Sequence, residues 1–108
     1  MMKRGEIWWV NFDPSVGGEI RKKRPAIIVS NDMANRYLNR IQVVPLSSKT
    51  DKIYPCETLV EFRGIRSKAM ADQLTTVSKQ RLLSQAGILT SKEMSVVERI
   101  IKLQLDLK

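Results

Sequence analysis

The sequence predicts a mainly β (α+β) fold, a small closed or half-open barrel of about five to seven short strands with one α-helix at the C-terminal end. Three observations lead there. Short runs rich in Val, Ile and aromatic residues recur from Gly5 to Val77, punctuated by Gly, Pro, Asn, Asp and Ser. Only the last segment shows sustained helical spacing. The length of 108 residues leaves room for one core, so 1–108 is read as a single domain.

Taken in order, Gly5 to Phe12 is aromatic and β-branched and reads as the first strand, ended by Asp13-Pro14. Trp8 and Trp9 point to opposite faces of it. Core positions for both are the simpler expectation, with base stacking or a dimer contact the role of an exposed one. Val16-Gly17-Gly18 marks a flexible loop running through Arg21-Lys22-Lys23-Arg24. Pro25 to Ser30 is a continuous apolar run, short enough for a buried strand that Pro can begin. Asn31-Asp32 offers an N-cap for a short helix through Leu38. Ile41 to Leu46 and Glu57 to Phe62 read as further strands, Gly64 breaks the pattern, and Lys68 to Asp72 and Leu74 to Val77 read as short strands. Ser78 caps a helical turn over Lys79 to Leu83. Thr90-Ser91-Lys92-Glu93 fits a capping box, followed by Met94, Val97, Ile101 and Leu105 at helical spacing, with Ile100 and Leu103 widening the apolar face.

Composition narrows the chemistry. Nineteen Lys and Arg against eleven Asp and Glu give a net charge of +8, which favours a polyanionic partner. The cluster Arg21 to Arg24 reads either as a solubilising loop or as a phosphate contact. There is no histidine, which removes histidine acid–base catalysis, Ser-His-Asp and Cys-His nucleophiles and histidine-ligated metals. Cys56 is the only cysteine, so neither an internal disulfide nor a multi-cysteine zinc site is available. No apolar run approaches a membrane span, and the basic start at Lys3-Arg4 leads into no signal-peptide apolar region. A cytoplasmic protein with no membrane association is the expectation.

Lys3-Arg4-Gly5-Glu6-Ile7-Trp8, Asp13-Pro14, Gly17-Gly18-Glu19 and Arg24-Pro25-Ala26-Ile27-Ile28-Val29 follow one another in an order and spacing that resemble MazF/PemK/Kid-type toxins. The resemblance continues through Val44 to Ser48, Ala69 to Gln73 and Thr76 to Leu82, and covers nearly the whole chain. It implies an SH3-like barrel with a C-terminal helix, a homodimer with single-stranded RNA in the groove between subunits, and an acidic, partly disordered antitoxin that blocks the groove. It also implies a sequence-specific endoribonuclease that uses no metal or other cofactor. Carried over by position, the catalytic residues are Arg24 and Ser47, the latter standing where many relatives have Thr. Glu19, Arg21, Lys22, Lys23, Ser48, Asp72 and Gln73 are the candidate RNA contacts. The Kid-type branch pairs an Asp with an Arg two residues before it; here Met70 stands at that place, and the first loop lacks that branch's His, so the pair does not transfer to Asp72.

Physical chemistry fits Arg24 to such a role. A guanidinium is planar, permanently charged and bidentate toward phosphate. Without the resemblance, Arg24 also reads as a surface residue starting a strand, and Ser47-Ser48 as turn chemistry. Two rival functions stay open: a catalytically silent RNA-binding barrel, and a gyrase-poisoning toxin of the same fold. The latter class depends on an aromatic at the end of the last helix, where this chain reads Leu103-Gln104-Leu105-Asp106-Leu107-Lys108.

Overall fold

A computed structural model describes residues 2–108. Seven strands and two α-helices follow one another as β1 (Glu6–Asn11), β2 (Lys23–Ile28), α1 (Asp32–Tyr37), β3 (Arg40–Ser47), β4 (Glu57–Phe62), β5 (Ile65–Met70), β6 (Thr75–Ser78), β7 (Leu82–Ile88) and α2 (Ser91–Gln104). The strands form one curled antiparallel sheet in the order β4-β5-β3-β2-β1-β7, with β6 also on β3. The ends of this path meet where Gly87 of β7 lies against Phe62 of β4, so the sheet closes on itself around a core.

Strand alternation sorts the side chains into two clusters. Ile7, Ile27, Val44, Leu46, Val60, Phe62, Ala69 and Ala86 line the barrel interior, closed at one end by Met94, Val97 and Ile100 of α2. Val10, Phe12, Ala26, Ile28, Ile41, Val43 and Val77 form the second cluster, packed with the half-buried Trp8. Pro45 sits inside β3, where a missing N–H would ordinarily break a ladder. It falls between two partners: β6 pairs with Arg40 to Val43 and β5 with Leu46 and Ser47.

The strands expected over Gly5 to Phe12, Pro25 to Ser30, Ile41 to Leu46 and Glu57 to Phe62 are present as Glu6–Asn11, Lys23–Ile28, Arg40–Ser47 and Glu57–Phe62. The second takes in Lys23 and Arg24 from the expected loop and ends before Val29, and the short helix is capped by Asn31. Three expectations are corrected. The strand expected over Lys68 to Asp72 begins at Ile65, because Arg63 and Gly64, with φ of 52° and 73°, make a two-residue hairpin that pairs Phe62 with Ile65. It ends at Met70, and Ala71–Gln73 winds into a 3-10 turn. The helical turn after Ser78 is confined to Lys79–Arg81, and Leu82 to Ile88 is a strand along β1. Finally, the stripe of α2 buries only as far as Ile100, with Ile101 half-buried, while Leu103 and Leu105 are exposed.

The capping box of α2 is complete. Thr90 Oγ1 accepts the Glu93 N–H at 3.1 Å, and Glu93 Oε1 accepts the Thr90 N–H at 3.0 Å. Glu93 Oε2 also accepts the Glu61 N–H at 3.2 Å, tying the helix to β4. Burial opposes the charge on Glu93, but the hydrogen bonds from Thr90 and Glu61 outweigh it and hold the carboxyl below its ordinary pKa.

Candidate functional site

The barrel interior is closed by α2 at one end and opens as a cleft of about 530 Å³ at another. Its floor continues the interior positions outward: beyond Ile7 along β1 comes Trp9, beyond Ile27 comes Pro25, and beyond Ala69 come Ser67 and Ile65. Its rim is basic. Lys22, Lys23, Arg24, Lys49 and Arg63 line it, and among the described residues no carboxylate does.

Arg24 and Ser47 reach this cleft from neighbouring strands. The β2–β3 ladder pairs Ile28 with Val43, Ile27 with Val44 and Ala26 with Pro45. Arg24 stands two residues before Ala26 on β2 and Ser47 two residues beyond Pro45 on β3, and both line the cleft. Arg24 is half-buried, and its Nε donates to the Arg21 carbonyl at 3.0 Å. Its terminal nitrogens have no protein partner among the described residues, so the two-pronged face of the guanidinium is available to a ligand. Ser47 is buried, and its Oγ accepts the Lys49 N–H at 3.2 Å, an arrangement that keeps the hydroxyl proton for donation. Ser48 and Lys49, exposed on the following loop, line the same cleft.

The loop before Arg24 was expected to be flexible, yet its base is braced. Phe12 N–H donates to the Lys22 carbonyl at 2.9 Å, and Lys22 N–H to Asp13 Oδ1 at 2.9 Å. Arg81 Nη1 donates to the carbonyls of Asn11 and Asp13 at 3.0 and 2.6 Å. Lys22 itself has a φ of 70°, a left-handed conformation unusual for Lys, at the point where the chain turns into the basic strand start.

A second brace was not foreseen. Lys68, paired with Ser47 across β3 and β5, is buried. Its ammonium lies 3.1 Å from Glu57 Oε1, donates to the Lys52 carbonyl at 3.1 Å and stands 5.6 Å from the centre of the Tyr54 ring. Glu57 Oε1 also accepts the Tyr54 N–H at 2.9 Å. The pair therefore pins the loop that follows Ser47 and Ser48. Ten residues lie between Glu57 and Lys68, and no local pattern announces a pairing made across a hairpin.

The remaining candidates lie elsewhere. Glu19, Asp72 and Gln73 line a separate hollow of about 320 Å³, with Phe12, Thr75 and Arg81. Gln73 uses both ends of its amide on the β1–β2 loop, accepting the Ile20 N–H at 3.2 Å and donating to the Gly18 carbonyl at 3.3 Å. Glu19 accepts the Val16 N–H at 2.7 Å within that loop. The geometry makes both of them loop struts. Arg21 is exposed and lines neither hollow. Beside Asp72, burial and then the carboxylates of Asp72 and Glu57 push the Cys56 thiol above its ordinary pKa, away from a reactive thiolate. Trp9, expected in the core, is 37% exposed and lines the cleft instead.

Residues 3–105 match the family described as the PemK-like, MazF-like toxin of type II toxin–antitoxin systems. The chain belongs to this family. It is 39% identical to the endoribonuclease MazF9 of Mycobacterium tuberculosis, across 99% of this chain and 98% of the relative. It is 28% identical to the endoribonuclease toxin MazF of Escherichia coli, across 87% and 85%. The fold matches the crystal structure of MazF from Deinococcus radiodurans with a TM-score of 0.88 at 23% identity, covering 98% of this chain and 97% of that one. It also matches a mycobacterial endoribonuclease in complex with its cognate antitoxin, with a TM-score of 0.84 at 21% identity, covering 100% and 98%. The expected barrel with a C-terminal helix is thus the fold of this toxin family.

Proposed function

We propose that this toxin is a sequence-specific endoribonuclease that cuts single-stranded RNA without a metal, with Arg24 and Ser47 at the reacting phosphate. The observation that carries this reading is the cleft lined by both Arg24 and Ser47, rimmed by five cations and, among the described residues, by no carboxylate. Curated relatives across the family bear the name endoribonuclease, which supports the same activity here.

The chemistry asks little of the protein. The substrate's 2′-hydroxyl oxygen attacks the adjacent phosphorus, the bond to the 5′-oxygen breaks, and the products carry a 2′,3′-cyclic phosphate and a 5′-hydroxyl. The proton lost by the 2′-hydroxyl and the one taken up by the 5′-oxygen are exchanged with water in the open cleft. Arg24 takes no part in that proton exchange. Its part is to hold two phosphoryl oxygens as charge builds on them, and Ser47 adds a hydroxyl donor. Lys22, Lys23 and Lys49 bind flanking phosphates. The active unit is a homodimer whose clefts share one RNA groove, working in the cytoplasm. Its natural inhibitor is an acidic, partly disordered antitoxin that covers the basic rim and orders on binding.

The test is cleavage of a single-stranded RNA in EDTA, with the ends of the products mapped. We expect 5′-hydroxyl and 2′,3′-cyclic phosphate ends, and no cutting of the DNA of the same sequence. Strict dependence on Mg²⁺, or 5′-phosphate ends, overturns the reading.

A further inference from the structure

Phosphate binding and cleavage use the basic rim of the cleft and leave its floor unused. That floor is apolar where a purely phosphate-binding site has no need to be: Trp9, Pro25, Leu46, Phe62, Ile65 and Ala86. Trp9 and Ile65 are 37% and 53% exposed, so two large apolar side chains stand in water at the mouth of an otherwise filled barrel. The ladder sets Trp9 beside Pro25 on β2 and Ser84 on β7, so its place on the sheet is held from both sides. Across the same cleft, Arg63 stands on the two-residue β4–β5 turn, whose φ values of 52° and 73° fix the tip of the hairpin.

An apolar floor under a cationic rim matches one ligand chemistry, a flat aromatic base attached to an anionic backbone. The volume of about 530 Å³ lies within the range of sites that enclose a small organic group. An acidic protein segment would satisfy the rim, but the aromatic ring adds most to a π-faced partner.

We infer that Trp9, with Pro25 beside it and Ile65 on the same cleft floor, is a stacking platform for one nucleobase flanking the cut, and that Arg63 holds that nucleotide's phosphate. The inference rests on the proposed RNA-cleaving function and names a subsite within it. The platform reads the base by its face, so it anchors the strand without selecting strongly among bases.

The test uses two eight-nucleotide probes that resist cleavage: a 2′-fluoro oligouridylate, and an abasic sugar–phosphate oligomer of the same length. Binding is followed by intrinsic tryptophan fluorescence and by an independent affinity measurement. The parental protein should show quenching with the oligouridylate and far less with the abasic strand. Trp9→Phe should abolish that quenching, which assigns the signal to Trp9 rather than Trp8. Trp9→Ala should weaken oligouridylate binding about tenfold or more, Trp9→Phe by much less, and neither should alter abasic binding. Arg63→Gln should weaken both probes alike. Equal quenching by both probes overturns the platform, as does unchanged affinity in Trp9→Ala. So does a shift of Trp9→Phe or Trp9→Ala to monomer, which assigns Trp9 to an interface between copies. If the platform fails while the parental protein still cuts RNA in EDTA, the ribonuclease reading stands alone; if the parental protein cuts no RNA, both fall.

Discussion

Replacing Lys68 by Met removes one half of the buried ion pair that pins the loop after Ser47. Lys68 and Glu57 side chains are 11% and 7% exposed, so little water reaches either charge. Breaking a buried pair by removing one partner costs about 3–5 kcal/mol, most of it the charge left behind. Glu57 keeps its bond from the Tyr54 N–H, which places the expected loss near the lower end, about 3 kcal/mol. For a domain of this length that is a fall in melting temperature of roughly 12 °C. Thermal unfolding of the parental protein, Lys68→Met, Glu57→Leu and the double variant, all at one protein concentration, measures this directly. The double variant should recover most of the loss, because two apolar side chains leave no charge unpaired. A Lys68→Met melting temperature within about 3 °C of the parent would refute the reasoning, as would a double variant no more stable than the singles. RNA cleavage by Lys68→Met, measured well below its melting temperature, should also fall, since Ser47 would then be followed by an unpinned loop.

Two further outcomes concern α2. Thr90→Ala removes the side chain that accepts the Glu93 N–H and should lower stability by about 1 kcal/mol, read as a melting-temperature drop of roughly 4–5 °C. No change would mean that packing alone sets the helix start. The second is a pH dependence. The Glu93 carboxyl is held below its ordinary value in the folded chain, so its contribution is present above the ordinary carboxylate pKa and is lost as pH falls through the folded one. Glu93→Gln, which retains a capping side chain, should therefore be less stable than the parent at neutral pH. The gap should close on acidification below about pH 4; a gap that stays constant there would contradict it.

What the sequence made legible follows its locality. The Thr90 to Glu93 box and the Asn31 cap are four-residue signals, and both stand where the pattern put them. The runs read at Gly5 to Phe12, Pro25 to Ser30 and Ile41 to Leu46 mark the strands Glu6–Asn11, Lys23–Ile28 and Arg40–Ser47 because each buries one or both faces. β7 escaped because Ser84, Gln85 and Gly87 interrupt any alternation, and the strand exists through its pairing with β1. The start of β5 escaped because Arg63-Gly64 is an uncommon pair for a two-residue hairpin turn. In the site, Arg24 near the start of β2 and Ser47 at the end of β3 line one cleft. Lys68, Arg63 and Trp9 gain their places from contacts between strands distant in sequence, which composition and spacing do not encode. Asp72 and Gln73 follow β5 closely in sequence, yet the 3-10 turn carries them to the other hollow.

The central claim is that the guanidinium of Arg24 stabilises the reacting phosphate. Single-turnover cleavage of an RNA in EDTA by the parent, Arg24→Ala, Arg24→Lys and Ser47→Ala tests it most directly, with melting temperature and oligomeric state checked for each. Arg24→Ala should cut about 100- to 1,000-fold more slowly, as expected when one donor is lost from a preorganised anion site. Arg24→Lys should recover little, because an ammonium lacks the two-pronged contact, and Ser47→Ala should lose less than Arg24→Ala. Cleavage by a correctly folded Arg24→Ala at close to the parental rate would contradict the account.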